Sequence, residues 1–290
     1  MRGTFVVARR SVPAERRQGV VAGGGTGMPS HLSGALRELA VEIIRCPVLA
    51  QCAAEGPDTL PCHEVAAGPG GPHRARWVPE PWVGHLTEAP LLFVASNPGG
   101  GGSPITDPED LSCDSPDQAL LDWADGAFDE GQVPGVADGV YLVDARGQRG
   151  RWVPYWGWAL RCAREVLPQP VQPGVGYALS EVVHCGSPSE EGVWAALETC
   201  TSRYLERVLA ASPARVVVLV GSVAKFAFSD HLHMDVSDHL LGPVEVGGRS
   251  RLLVFLRHPN SRGGVKSFHG QLTDSQLAQV RAALAAVSPG

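Results

Sequence analysis

The sequence predicts an α/β protein, a three-layer α/β/α sandwich around a mainly parallel central sheet. Two observations carry this. Compact apolar runs such as Leu91-Leu92-Phe93-Val94-Ala95 are bounded by prolines and lack polar alternation, the mark of strands buried on both faces. Segments with helical spacing separate these runs, and strands alternating with helices build parallel sheets.

Taken in order, residues 1–28 are rich in Gly, Arg and Val without periodicity and read as a flexible arm, with Met28 as an alternative start. Residues 29–290 then form one domain. Residues 32–44 carry helical spacing, and 55–85 form a polar, Pro- and Gly-rich connection. The first strand, 91–95, runs into a glycine loop at 99–102. Helices are expected near 116–128 and 155–167, a second strand at 177–183, and one long helix over 189–211 with Val193, Leu197, Cys200, Tyr204 and Val208 on one stripe. Strands at 215–220 and 252–256 and a closing helix at about 273–287 complete the pattern.

Composition narrows the class. A chain of 290 residues can bury a sizeable core. It has no apolar run of about 18 residues, so no membrane partner is expected. The N-terminus lacks the apolar stretch of a secretory signal, which predicts a cytoplasmic protein with reduced thiols. Seven cysteines, an odd number, then favour metal or core roles over disulfides. The net charge of −6 offers no global attraction to nucleic acid, so DNA binding would need a local basic patch. Nothing indicates a protein partner.

Three of the strands end in unusual sequence: Ser96-Asn97-Pro98-Gly99, His184-Cys185 and His258-Pro259-Asn260-Ser261. Loops at the carboxyl ends of parallel strands usually carry the site. A P-loop reading of the first fails, because no Gly-Lys-Ser/Thr follows Gly102. Cys46, Cys52, Cys185 and Cys200 are candidate ligands. Four thiolates suit a [4Fe–4S] cluster or zinc, whereas single buried thiols are ordinary core residues. Cys62 is the reserve ligand. Arg257, Arg262 and Lys266 supply charge beside Gly263 and Gly264 and could contact phosphates. Among the tryptophans, Trp82 is the candidate for a stacking loop.

The stretch 177–188, with Cys200 and Arg203-Tyr204-Leu205 after it, resembles the cluster-binding segment of iron–sulfur uracil-DNA glycosylases. The early Asn97-Pro98-Gly99 and late His258-Pro259 follow that superfamily's motif order over roughly residues 40–285. The resemblance implies a [4Fe–4S] cofactor of structural role, DNA as partner, and hydrolysis of an N-glycosidic bond on a flipped nucleotide. Carried over residue by residue, Asn97 holds the water, with Asp107, Glu109 and Asp110 as backup acids. His258 stabilises the departing base, and Arg257, Asn260, Ser261, Arg262 and Lys266 contact DNA. Ser96, Pro98, Gly99 and Glu181 meet the base. Glu181 stands where the resembling enzymes have Asn. An ionised carboxylate only accepts hydrogen bonds, which suits the N4 amine of cytosine, whereas a protonated Glu181 could still serve uracil; the glycines leave room beside C5. The leading expectation is therefore a 5-modified cytosine, as in antiviral glycosylases that attack phage DNA. Repair of uracil or another deaminated base is the alternative. A catalytically silent nucleic-acid-binding module is the rival from another class.

Overall fold

The structure, a computed structural model, describes residues 32, 34–55, 60–67, 78–99, 111–112, 114–236 and 238–286. The N-terminal arm, the 100–102 glycines, the three backup acids and Trp77 lie outside these residues.

The central sheet has five strands in the order β5-β1-β6-β8-β7. Strands β1 (Leu91–Ala95), β5 (Tyr177–Glu181), β6 (Val216–Val220) and β8 (Arg249–Leu256) run parallel, and β7 (Leu240–Val246) joins antiparallel to β8. β1, β5 and β6 are buried at every position, as two-sided coverage of their apolar runs requires. β7 escapes sequence reading because Gly242-Pro243 interrupt it and most of its residues are partly exposed, as befits an edge. It turns into β8 through Gly247-Gly248, both at positive φ, the backbone a two-residue hairpin demands.

Two helix groups pack on this sheet. α8 (Gly221–His231) lies on β1, β6 and β8 and also meets α6 (Val193–Cys200). α10 (Asp274–Ala285) packs on β6 and contacts α5 (Pro154–Val166) and the short α9 (Phe268–Gln271). Pro154 opens α5 at a position where its missing N–H costs nothing, and a Thr273–Gln276 capping box opens α10. Helices α1 (Gly34–Ile44) and α4 (Asp117–Gly126) pack together.

Three expectations are corrected. The single helix predicted over 189–211 is instead a 3₁₀ turn at Pro188–Glu190, α6, a π-helical turn at Thr201–Leu205 and α7 (Glu206–Ala211). Ser189 and Glu190 have φ of 63° and 58°, which no continuous helix tolerates. The polar connection at 55–85 includes α3 (His63–Ala67) and a segment along the β5 edge. There the Val83 N–H donates to Leu179 O and the Leu179 N–H to Val83 O. That pairing buries Trp82 completely, so it is a core residue and no stacking loop. A second antiparallel sheet, β2 (Gly135–Ala137), β3 (Tyr141–Val143) and β4 (Arg149–Trp152), stands between α4 and α5. Its strands, three or four residues long, are too short to announce themselves.

Candidate active site

Because β5, β1, β6 and β8 are parallel, their carboxyl ends share one edge of the sheet. A cavity of about 690 Å³ opens there. Its walls bring together Ser96, Asn97, Pro98 and Gly99 after β1, Glu181 at the end of β5, and His258, Asn260 and Ser261 after β8. Residues from distant parts of the sequence thus face one space, within the size range of ligand sites.

Asn97 is held as an acceptor. Its Nδ2 donates to Pro98 O at 2.9 Å and to Ser187 O at 3.0 Å, which consumes both amide protons. Its Oδ1 lies 3.2 Å from the Ser96 hydroxyl, whose one proton is closer to Glu190 Oε1 at 2.6 Å. The loop carrying Glu190 is stitched to the end of β1: the Ser187 N–H donates to Pro98 O, and Ser187 Oγ to Glu191 O. Glu190 was not among the sequence candidates. Only its left-handed backbone brings it into the cavity wall, and no periodicity signals that.

His258 is held as a donor. Its Nδ1 accepts from the Asn260 N–H at 3.2 Å, which leaves the proton of the neutral ring on Nε2. The ring stacks on Tyr155, with centroids 6.2 Å apart and planes 13° apart. Burial first, and then the Lys266 ammonium, hold its pKa below the ordinary 6.5 against the opposing pull of Glu190. The loop behind it is braced: Lys266 Nζ donates to Pro259 O, and Trp158 Nε1 donates to Lys266 O. Lys266 is thereby committed to loop geometry, while Arg257 and Arg262 are exposed, as is Val265 at the loop tip. Gly221, at φ +85°, lets β6 pass close to His258; an added Cβ would sit 3.2 Å from His258 Cβ.

The floor of the cavity is polar and incompletely paired. Glu181 Oε2 and Tyr155 Oη are buried there with no hydrogen-bond partner among the described residues, as is Ser261 Oγ on the wall. Burial, and then the neighbouring Glu80 carboxyl, push Glu181 well above the ordinary carboxylate range. That shift favours the protonated Glu181, which can donate as well as accept, over the ionised form. Glu80 enters the wall because the Glu80 N–H donates to His184 O along the β5 edge. Arg151 and the half-exposed Trp152 of β4 form part of the rim, contributions the sequence does not advertise.

Behind β5 the cysteines gather. Cys46, Cys52, Cys62, Cys185 and Cys200 are all buried, and no disulfide forms among the described residues. Burial raises the Cys185 thiol, and repulsion from Cys200, Cys46, Cys62 and then Cys52 raises it further. Cys62 is pushed up to about 12 by burial and then by Cys200, Cys46 and Cys52. The Tyr204 hydroxyl donates to Cys46 Sγ at 3.6 Å. The π turn after Cys200 places Tyr204 there, and such bulges recur at functional sites. Among the described residues, no group of three or more His, Cys, Asp or Glu side chains is set to grip a single metal ion. A multi-iron cluster needs its thiolates spread more widely than one ion does, and an all-thiol donor set fits soft iron–sulfur chemistry.

No protein-family model matches the chain, and no curated protein matches it.

Proposed function

We propose that the protein is a DNA glycosylase of the uracil-DNA glycosylase type, whose fold is the finer form of this α/β architecture. The observation that carries the reading is the meeting of Asn97, Glu181 and His258 around one cavity whose floor has unpaired buried polar atoms. Buried polar groups without partners are costly, and a planar base edge would satisfy Glu181 Oε2 and Tyr155 Oη together. Asn97 Oδ1, turned to accept, would hold water against C1′. His258 Nε2–H would donate to the departing base as charge develops on it, a preorganised donor that lowers the barrier. Arg257, Arg262, Arg151 and Trp152 would grip the strand around a flipped nucleotide, with Val265 filling the gap it leaves. Cys46, Cys185 and Cys200, with Cys62 or Cys52, would hold a [4Fe–4S] cluster. When bound, it would tie α2 (Pro47–Glu55) and α3 to the main domain rather than exchange electrons.

The preferred substrate is a 5-modified cytosine. The cavity has ample volume, and a Cβ added at Gly99 would meet nothing within 4 Å. The upward shift of Glu181 specifically supports a second reading, uracil, because a protonated carboxyl could donate to O4 and accept from N3–H. Oligonucleotides carrying uracil, hypoxanthine, hydroxymethylcytosine and glucosylated cytosine, scored for abasic sites, decide between them. Strand scission after alkali on a modified cytosine is expected. Binding to DNA without cleavage of any member would leave a nucleic-acid-binding module.

A further inference from the structure

Asn97 can position a water but cannot take its proton, since an amide is not a base near neutral pH. Any hydrolysis at this site needs an acceptor within reach, and the three backup acids suggested by the sequence lie outside the described residues. One carboxylate stands in the cavity wall beside Asn97. Glu190 Oε1 is 2.6 Å from Ser96 Oγ, which is itself 3.2 Å from Asn97 Oδ1. Its charge also reaches His258 across the cavity. Two successive non-glycine residues, Ser189 and Glu190, hold left-handed backbone to put it there, with φ of 63° and 58°. Such strain persists where surrounding structure enforces it, and here the bonds from Ser187 to Pro98 and Glu191 and from Asn97 to Ser187 do so. Glu80 and Glu181 also line the cavity, but Glu181 is buried on the floor with the buried Glu80 beside it, so neither matches the placement of Glu190 next to Asn97.

We propose that Glu190 is the catalytic base of the reaction, a role that rests on the glycosylase reading. The water oxygen held by Asn97 bonds to C1′ as the C1′–N bond breaks, and the bonding pair leaves with the base, which His258 Nε2–H stabilises. The water proton passes to the Glu190 carboxylate. Ser96 holds that carboxylate in place and keeps one of its oxygens hydrogen-bonded while the other faces the water.

The test compares wild type, Glu190→Gln, Glu190→Asp and Glu190→Ala on whichever oligonucleotide the wild type cleaves, under single-turnover conditions. Glutamine keeps the size and an acceptor for Ser96 Oγ, so melting temperature and DNA affinity should stay near wild type. Its cleavage rate should fall roughly 10²–10⁴-fold, the usual contribution of a general base. The acid limb of the pH–rate profile should vanish with it. Glu190→Asp should recover part of the rate, and added formate or azide should accelerate Glu190→Ala, which a merely structural role would not allow. A Glu190→Gln rate within threefold of wild type, or a variant deaf to formate and azide, overturns the role of Glu190 alone. A wild type that cleaves no oligonucleotide overturns the glycosylase reading and this role with it.

Discussion

The Asn260 backbone N–H donates to His258 Nδ1 across 3.2 Å, and this contact decides which ring nitrogen offers a proton to the cavity. A doubly protonated ring would lose it. With its pKa below 6.5, His258 is neutral at pH 7 and needs no protonation to act as a donor. The cleavage rate should therefore show no loss attributable to His258 between about pH 6.5 and 8. His258→Ala should lower single-turnover cleavage by roughly 10²–10³. His258→Ala should leave binding to abasic DNA in place, measured by gel shift.

Gly221 offers a subtler test of the same group. Any side chain there meets a φ of +85° and the His258 Cβ at 3.2 Å. Gly221→Ala should cost about 1–2 kcal/mol of stability from backbone handedness. It should also reduce cleavage by pushing the imidazole off its line, while Gly248→Ala, at φ +70° in the β7–β8 turn outside the cavity lining and with nothing near its added Cβ, should leave cleavage unchanged. Melting curves and single-turnover rates on both variants separate the two effects.

The five gathered cysteines permit a choice of ligands. Of the thiols that raise Cys185, Cys52 acts least, and Cys62 is the more deeply buried of the two. Cys62→Ser should therefore remove iron and the brown absorbance of anaerobically purified protein, while Cys52→Ser should retain both. Cys185→Ser and Cys200→Ser should lose iron and solubility together, because thiolate ligation couples metal binding to folding. Colourless, iron-free wild type from anaerobic purification would remove the cluster from the reading.

How much of this was legible in the sequence depends on how each feature is encoded. β1 and β6 announce themselves because burial on two faces leaves only apolar residues. Asn97 and His258 are legible because strand ends deliver their side chains to one edge, which topology guarantees once the strands are parallel; Glu181 is legible only through the resemblance, since the sequence runs its strand on to 183. Glu190, Arg151 and Trp152 are not legible at all, since a left-handed turn and a four-residue strand leave no periodic trace. What favours the protonated form of Glu181 is hidden for a related reason: it is burial beside Glu80, which reaches the cavity along an irregular edge segment.

Away from the cavity, His85 lies 2.8 Å from Asp129 and 3.6 Å from Asp125. The Asp125 contact first, then Asp129, raise its pKa from 6.5 to about 9 against the cost of burial. A folded pKa above the unfolded one stabilises fully below pH 6.5, and that contribution fades as pH climbs through about 9. Because Asp129 is half exposed, the amount at stake is about 1–2 kcal/mol. Melting temperature should fall between pH 6.5 and 9.5, and the fall should be shallower in His85→Gln.

Glu181 and Gly99 together test the substrate. A neutral carboxylic acid and an amide both donate and accept, so Glu181→Gln should keep most cleavage, whereas an ionised Glu181 would make that change costly. A carboxyl whose folded pKa is raised above its ordinary 4.5 burdens the folded state increasingly as pH rises, so Glu181→Gln should melt higher than wild type at pH 8 and equally at pH 4. Glu181→Asn shortens the side chain, and should weaken cleavage of modified cytosine and raise that of uracil. Because the neutral acid can meet either pyrimidine edge, the discrimination moves to the space beside C5. Gly99 borders that space, and its backbone accepts a side chain without left-handed strain. Gly99→Phe should exclude glucosylated hydroxymethylcytosine while leaving smaller pyrimidines admissible, so the ratio of the two cleavage rates should drop at least tenfold. An unchanged ratio would mean that the 5-substituent lies elsewhere, and efficient wild-type excision of plain uracil with no action on modified cytosines would return the protein to repair.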